Sequence, residues 1–471
     1  MSNMSILSVG SCQRDITPKL PAALVGQYYR RVATEVYSPL TANILAISSG
    51  EDQAVLVSCD LLGIPRRLMP EVRRKAKALV PELDPMKIIV NAIHTHTGPF
   101  VYPDHASNFW GADFDYIPQL PDEQDPDAYA DILSTIIAEG IREAWGNMEP
   151  VKLATGFDYL SIAYNRRTVY QDGHAEMYGS TARPDFKQME GTTDSGIHFL
   201  SFTNGEGKLT AAVIELPCPS QILEHKSYIA SDFWHDVRNH IHERYGDQVT
   251  VIALCGAAGD LSPRDLVRTA MEEPDMHATK MYNPEGVTYV AGRIARAFAD
   301  FFDGPRNETD RAELRHVARD LPLPLRATTP EAVEQAKRDY DALRAKRVSM
   351  SDFTEPECMW LSIYAGVIKR YELQQESMTY PIEVHVLRVG DAVLATNPFE
   401  LYVYYGDKLR SHTGNPNTFV VQLACGYEGY LPTQQAVENG GYSSYICNGA
   451  IGPEGGERLV EETLAMLGEI K

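Results

Sequence analysis

Short apolar runs alternate with amphipathic stretches along the whole chain. Lys87-Ile88-Ile89-Val90, Ala54 to Ser58, Leu209 to Leu216, Val249 to Leu254, Ala392 to Ala395 and Phe419 to Leu423 have strand length and read as buried strands. Segments of helical period lie between them at 68–80, 125–145, 231–245, 286–302 and 457–467. In 125–145, Ile132, Ile136, Ile137 and Ile141 supply an apolar stripe. This alternation predicts an α/β fold with a mixed β-sheet core covered by helices. Two segments break the pattern and are expected to be insertions. Residues 101–124, rich in Pro, Asp and aromatics, suit a rim or lid. Residues 306–379 carry a charged helix opened by the Thr329 cap and Pro330. No internal repeat is legible, and nothing demands a division, so 1–471 is expected to be a single domain.

Composition narrows the function classes. The 471 residues carry 43 Lys+Arg against 64 Asp+Glu, a formal net charge of −21 that disfavours nucleic acid or an anionic membrane as partner. No apolar run reaches membrane-spanning length, and no leader pattern precedes Gly10. The seven cysteines are odd in number and scattered, as reduced thiols of a cytoplasmic protein are. A small-molecule substrate is the expected partner, with no stable membrane association; oligomeric state is not legible.

Candidate chemistry gathers where strands end. His94-Thr95-His96-Thr97-Gly98-Pro99 puts two imidazoles after a buried strand, where α/β proteins build sites. Alone, such a pair is more often merely hydrogen-bonded than metal-bound, and it needs partners elsewhere in the chain. Cys255 to Arg264 follows another strand; its small residues allow a ligand close approach, and Ser262 is either a nucleophile or a turn residue. Glu400, in Asn397-Pro398-Phe399-Glu400, ends a third strand and suits a metal shell or a helix N-terminus. Gly426 to Thr433 and Gly440-Gly441-Tyr442 present tyrosines in Gly-rich loops. Asn165-Arg166 suits an anion clamp, and Cys218, held between Pro217 and Pro219, is either a ligand or a buried thiol.

His94 to Pro99, Asn165-Arg166, Gly259-Asp260-Leu261-Ser262-Pro263, Pro398-Phe399-Glu400 and Tyr427 to Tyr442 occur in an order that resembles the N-terminal catalytic domain of the neutral/alkaline non-lysosomal ceramidase family. The resemblance implies the ceramidase-like catalytic fold and a Zn2+ cofactor. His94, Glu400 and Tyr430 would be metal ligands. Ser262 would be the nucleophile, His96 and Arg166 would bind or polarise substrate, and Tyr442 would hydrogen-bond the reacting carbonyl. The backbone near Gly26 would add to an oxyanion site. One ligand departs: the family's His-Pro-Thr is here Cys218-Pro219-Ser220, so Cys218 is expected as a thiolate ligand, with His225 or His235 as substitutes or the metal lost. The family's immunoglobulin-like C-terminal domain is not expected here, nor is a means of extracting ceramide from a bilayer. The resulting expectation is a zinc-dependent hydrolase of an amide or ester/lactone bond in a small soluble substrate. The alternatives are a metal-dependent lyase or isomerase on a carbohydrate-like substrate, and a metal-free binding protein.

Overall fold

The structure, a computed structural model, describes residues 5–102, 120, 122–271, 281–347 and 353–470. Three sheets share one plan. In the first, β1 (Ser8–Asp15), β2 (Thr41–Ser48) and β3 (Gln53–Cys59) run antiparallel in sequence, and β4 (Ile88–Ala92) lies parallel to β3. Helix α1 (Leu68–Leu79) makes the crossover, and α2 (Pro126–Gly146) follows β4 and packs on α1, β1 and β2.

The second sheet repeats this with β5 (Lys152–Tyr159), β6 (Gly196–Thr203), β7 (Leu209–Leu216) and β8 (Thr250–Cys255). Helix α3 (Phe233–Tyr245) connects β7 to the parallel β8, and α4 (Pro284–Asp303) packs on α3, β5 and β6. The third sheet begins with β9 (Leu314–Pro324). Helices α5 (Pro330–Arg344) and α6 (Glu355–Glu376) then pack on each other before β10 (Thr379–Val389). A Gly390-Asp391 turn leads to β11 (Ala392–Thr396), α7 (Val403–Thr413) crosses to the parallel β12 (Thr418–Val421), and α8 (Pro453–Glu469) closes the unit.

The molecule is therefore a mixed α/β fold built from an internal threefold repeat of ββ-β-α-β-α units, against the expectation of none. The charged stretch 306–379 holds β9, which pairs along its length with β10, together with α5 and α6. The expected rim at 101–124 falls largely outside the described residues. In α2, Leu133, Ile137 and Ile141 are fully buried, whereas Ile132 is 43% exposed; the true stripe is shifted from the one expected. Among the described residues, no helix is long and apolar enough to cross a membrane.

Topology decides where a site can form. Strands one, three and four of each unit point the same way, so nine strand ends and their loops open at one end of the sheets. The units are stitched together there. Ser58 Oγ and Asn91 Nδ2 donate to the Ala253 carbonyl at 2.7 and 3.0 Å. Gln422 N donates to the Cys255 carbonyl at 2.9 Å, and Ala92 N to the Leu423 carbonyl at 3.2 Å. Asp60, just past β3, takes both terminal nitrogens of Arg238 on α3 at 2.7 Å in a buried bidentate pair.

Candidate active site

His94 leaves β4 with a φ of +67°, a left-handed conformation that a non-glycine residue adopts at some cost. Its Nδ1 lies 2.8 Å from the Leu62 carbonyl, which can only accept, so Nδ1 donates there; Nε2 faces Glu400, donating to it in the imidazolium and presenting a lone pair in the neutral imidazole. Across from it, Glu400 stands in a two-residue parallel ladder with Tyr430, and both are buried. Glu400 Oε1 accepts from the Tyr427 hydroxyl at 2.9 Å; Oε2 lies 3.4 Å from His94 Nε2 and 3.8 Å from Arg166 NH2. Burial alone would raise the Glu400 pKa, but the charges of His94 and Arg166 and hydrogen bonds from His94 and Tyr430 reverse this and hold it below the usual range. The site thus keeps a carboxylate ionised in the interior.

Arg166 comes from the loop between β5 and β6. That loop is zipped to the Ser262 loop by pairing of Tyr164 with Ser262 and Asn165 with Leu261. Arg166 donates to the Tyr178 hydroxyl (3.0 Å), the Gln221 side-chain oxygen (3.2 Å), the Gly259 carbonyl (2.9 Å) and the Tyr430 hydroxyl (3.4 Å). Asn165 is no clamp itself; its amide holds Asp260 at 2.9 Å. His96 Nε2 is 2.7 Å from Gln221 Nε2 and 3.3 Å from His94 Nε2. Burial, reinforced by His94, Arg31 and Arg166, drives the His96 pKa well below its ordinary value, so this imidazole is neutral near pH 7. Gly26, at φ +105°, packs so closely that a Cβ there would sit 2.8 Å from the His96 ring. Tyr442 meets the Tyr430 and Tyr28 rings edge-on, each at 5.7 Å.

Ser262 is fully buried. Its hydroxyl lies 3.2 Å from the Tyr282 hydroxyl, accepts the Arg264 amide at 3.2 Å and bonds to Tyr178. Tyr178 thereby links Ser262 to Arg166, and through it to Glu400 and His94. The geometry gathers His94, His96, Arg166, Glu400, Tyr430, Tyr442 and Ser262 around one place.

Cys218 does not join them. Its thiol lies 3.8 Å from the Ile162 carbonyl and 3.6 Å from that of Pro219, within the apolar cluster of Leu216, Ile222 and Trp234. Burial, then Cys255 and Asp232, pushes its pKa well above the ordinary value, which disfavours a thiolate. The Pro-Cys-Pro turn sends the chain past the site, and Gln221 is the side chain that enters it. His225 is exposed beside Tyr282, and His235 sits half-buried on α3 in the field of Asp236, Arg238 and Asp60. Gln221, Tyr178, Tyr427, Tyr282 and Glu224 are site residues that pattern reasoning missed. Of these, Tyr427 had a signal, its place in the Gly426 to Thr433 loop.

No family model matches the chain, and no curated protein is similar to it in sequence. Two solved structures are similar in fold. A ceramidase complexed with C2 superposes with a TM-score of 0.69 at 16% identity, covering 98% of this chain and 75% of that one. Neutral ceramidase from Pseudomonas aeruginosa gives 0.68 at 18% identity, covering 98% and 74%. The fold is ceramidase-like. At these identities the likeness concerns the fold alone.

Within this ceramidase-like fold, His94 and Glu400 suit a divalent ion. Their 3.4 Å separation is longer than a charge-assisted hydrogen bond. It is close to the ~3.3 Å between neighbouring ligands of a tetrahedral ion with bonds of ~2.0–2.1 Å. A second donor group, Glu383, His385 and Cys425, is the one set of three His, Cys, Asp or Glu within 4.8 Å among the described residues. Arg73 already pairs with both Glu383 oxygens, at 2.8 and 2.5 Å, and its NH2 stands 4.0 Å from the Cys425 sulfur. A divalent ion there would face that guanidinium, and burial pushes the Cys425 thiol far up, so this cluster reads as a completed ion-pair network.

Proposed function

We propose that the protein is a zinc-dependent hydrolase that cleaves an amide or ester/lactone bond in a small, polar, soluble substrate other than ceramide. The observation that carries this reading is the buried Glu400 carboxylate facing Nε2 of His94 at 3.4 Å, with Arg166 behind it. His94 and Glu400 would hold the metal, with the Tyr430 phenol as an additional oxygen donor. Zinc bound there would polarise a carbonyl or lower the pKa of a water toward ~7.

The remaining roles belong to the chain. Tyr442 presents a donor for a developing oxyanion, where one such donor contributes ~3 kcal/mol, and Arg166, its terminal N–H groups already engaged, adds its charge. Ser262 attacks the carbonyl or positions a water, held by Tyr178 and Tyr282. His96 is neutral and so able to accept a proton, and Arg31, bonded to the His96 carbonyl at 2.5 Å, fixes its backbone. Arginine, carboxylate and phenol groups dominate these walls, which favours a polar substrate over an acyl-chain lipid.

Protein purified without chelator is expected to contain one zinc per chain and to hydrolyse members of an ester and lactone panel. Ser262→Ala and Glu400→Ala should each lower turnover on the order of 10³-fold or more, and only Glu400→Ala should lose zinc. Full turnover by metal-stripped Glu400→Ala sinks the proposal. A lyase or isomerase with His96 as base is favoured by one observation: among the described residues, no base contacts the Ser262 hydroxyl. Retained turnover in Ser262→Ala, with no water added to the product, would select it. An intact fold without metal would select a binding protein.

A further inference from the structure

The cations around the site are not equally compensated. Arg166 has Glu400 at 3.8 Å as well as four hydrogen-bond acceptors. Arg31 is saturated by the carbonyls of Glu224, Lys226, Val25 and His96, so it clamps loops together and has little left for a ligand. Arg264 differs. Among the described residues its guanidinium has no carboxylate within ion-pair distance and no acceptor for its terminal nitrogens; its Nε, like those of Arg31 and Arg166, is buried without a partner. It sits beside the Tyr178 and Tyr282 rings, its Cζ 5.9 and 5.3 Å from their centroids, and both tyrosines also bond to Ser262. Its own amide donates to the Ser262 hydroxyl. An unpaired guanidinium is therefore anchored two residues from the proposed nucleophile, on the same aromatic wall.

The terminal nitrogens of Arg264 have no protein acceptor among the described residues and are open to a ligand anion. We infer that Arg264 binds an anionic group of the substrate, a carboxylate. A monoanion fits better than a phosphate dianion: one guanidinium faces it, and the Glu224 carboxyl lies in the field of the same arginine. The inference rests on the hydrolase reading for the word substrate, but the anion site itself does not require turnover.

Equilibrium binding separates the two. Isothermal titration should show that glutarate binds the wild-type protein at least tenfold more tightly than neutral glutaramide. Arg264→Met should bring the two to parity, and Arg264→Lys should keep part of the preference, which reports charge where loss of fold would abolish both. Equal binding of the two probes to wild type overturns the inference. So does a glutarate preference that survives Arg264→Met, since that places the carboxylate on a metal or on Arg166. Failure of the hydrolase reading would appear instead as glutarate binding without turnover of any ester or lactone.

Discussion

Residue chemistry separates two cysteine environments and one carboxylate that the sequence pattern treats alike. Cys218 occupies the motif position of a metal ligand, yet its thiol is spent among carbonyls and apolar side chains. Cys218→Ala is accordingly expected to keep its full metal content and turnover, and to lose about 1 kcal/mol of stability for the vacated volume. Metal stoichiometry measured beside a urea melt checks both halves. Loss of zinc in Cys218→Ala would restore sulfur to the shell. Glu400 and His94 stood out only as members of a set of strand-end motifs, since each alone has bland uses in hydrogen bonding or at a helix N-terminus. Cys218 was misread because spacing along the chain cannot show which way a Pro-Cys-Pro turn directs its middle residue. Gln221 was missed because an amide carries no signature; it becomes visible once Arg166 and His96 are seen on either side of it.

At the scale of elements, the apolar runs and helical periods were largely legible. The strand expected at 209–216 is β7 residue for residue, and the Thr329 cap is present, its side chain accepting the Ala332 amide. What the pattern could not show is how element ends are charged. Asp232 caps α3, accepting the Phe233 amide at 2.9 Å and the Leu223 amide at 2.8 Å. Burial nevertheless outweighs these bonds and pushes its carboxyl up to about 7. A raised folded-state pKa means that the native protein binds this proton more tightly than the unfolded chain does. The stabilisation is complete below the unfolded value of ~4 and is lost as pH rises through about 7. Asp232→Asn keeps one of the two acceptor oxygens and removes the titration. Urea midpoints at pH 5 and pH 7.5 should fall less steeply with pH in the variant than in wild type; parallel slopes would show that Asp232 does not carry the shift.

The whole molecule explains why so many strand ends meet. Residues 8–146, 152–303 and 314–469 trace the same unit, and each opens its loops at one end. The loops after first strands deliver Gly26 and Arg166, those after third strands Gln221 and Glu400, and those after fourth strands His94, Ser262 and Tyr430. This repeat was illegible because equivalent positions carry unrelated residues. The loops between first and second strands also differ, spanning 16–40, 160–195 and 325–378, the last enlarged by α5 and α6. Each unit buries one sheet face beneath its own two helices and the other against its neighbours, and β7 and β8 are almost entirely buried. A lone unit would expose that second face, with no helix layer to cover it. The excised segment 152–303 is therefore expected to lack a cooperative thermal transition by circular dichroism and to bind no zinc. A sharp melt would show that its core, from Phe199 and Ile214 to Val237 and Phe298, suffices alone. On the present packing it does not: the repeat supplies three like scaffolds, and their different loops complete one site between them.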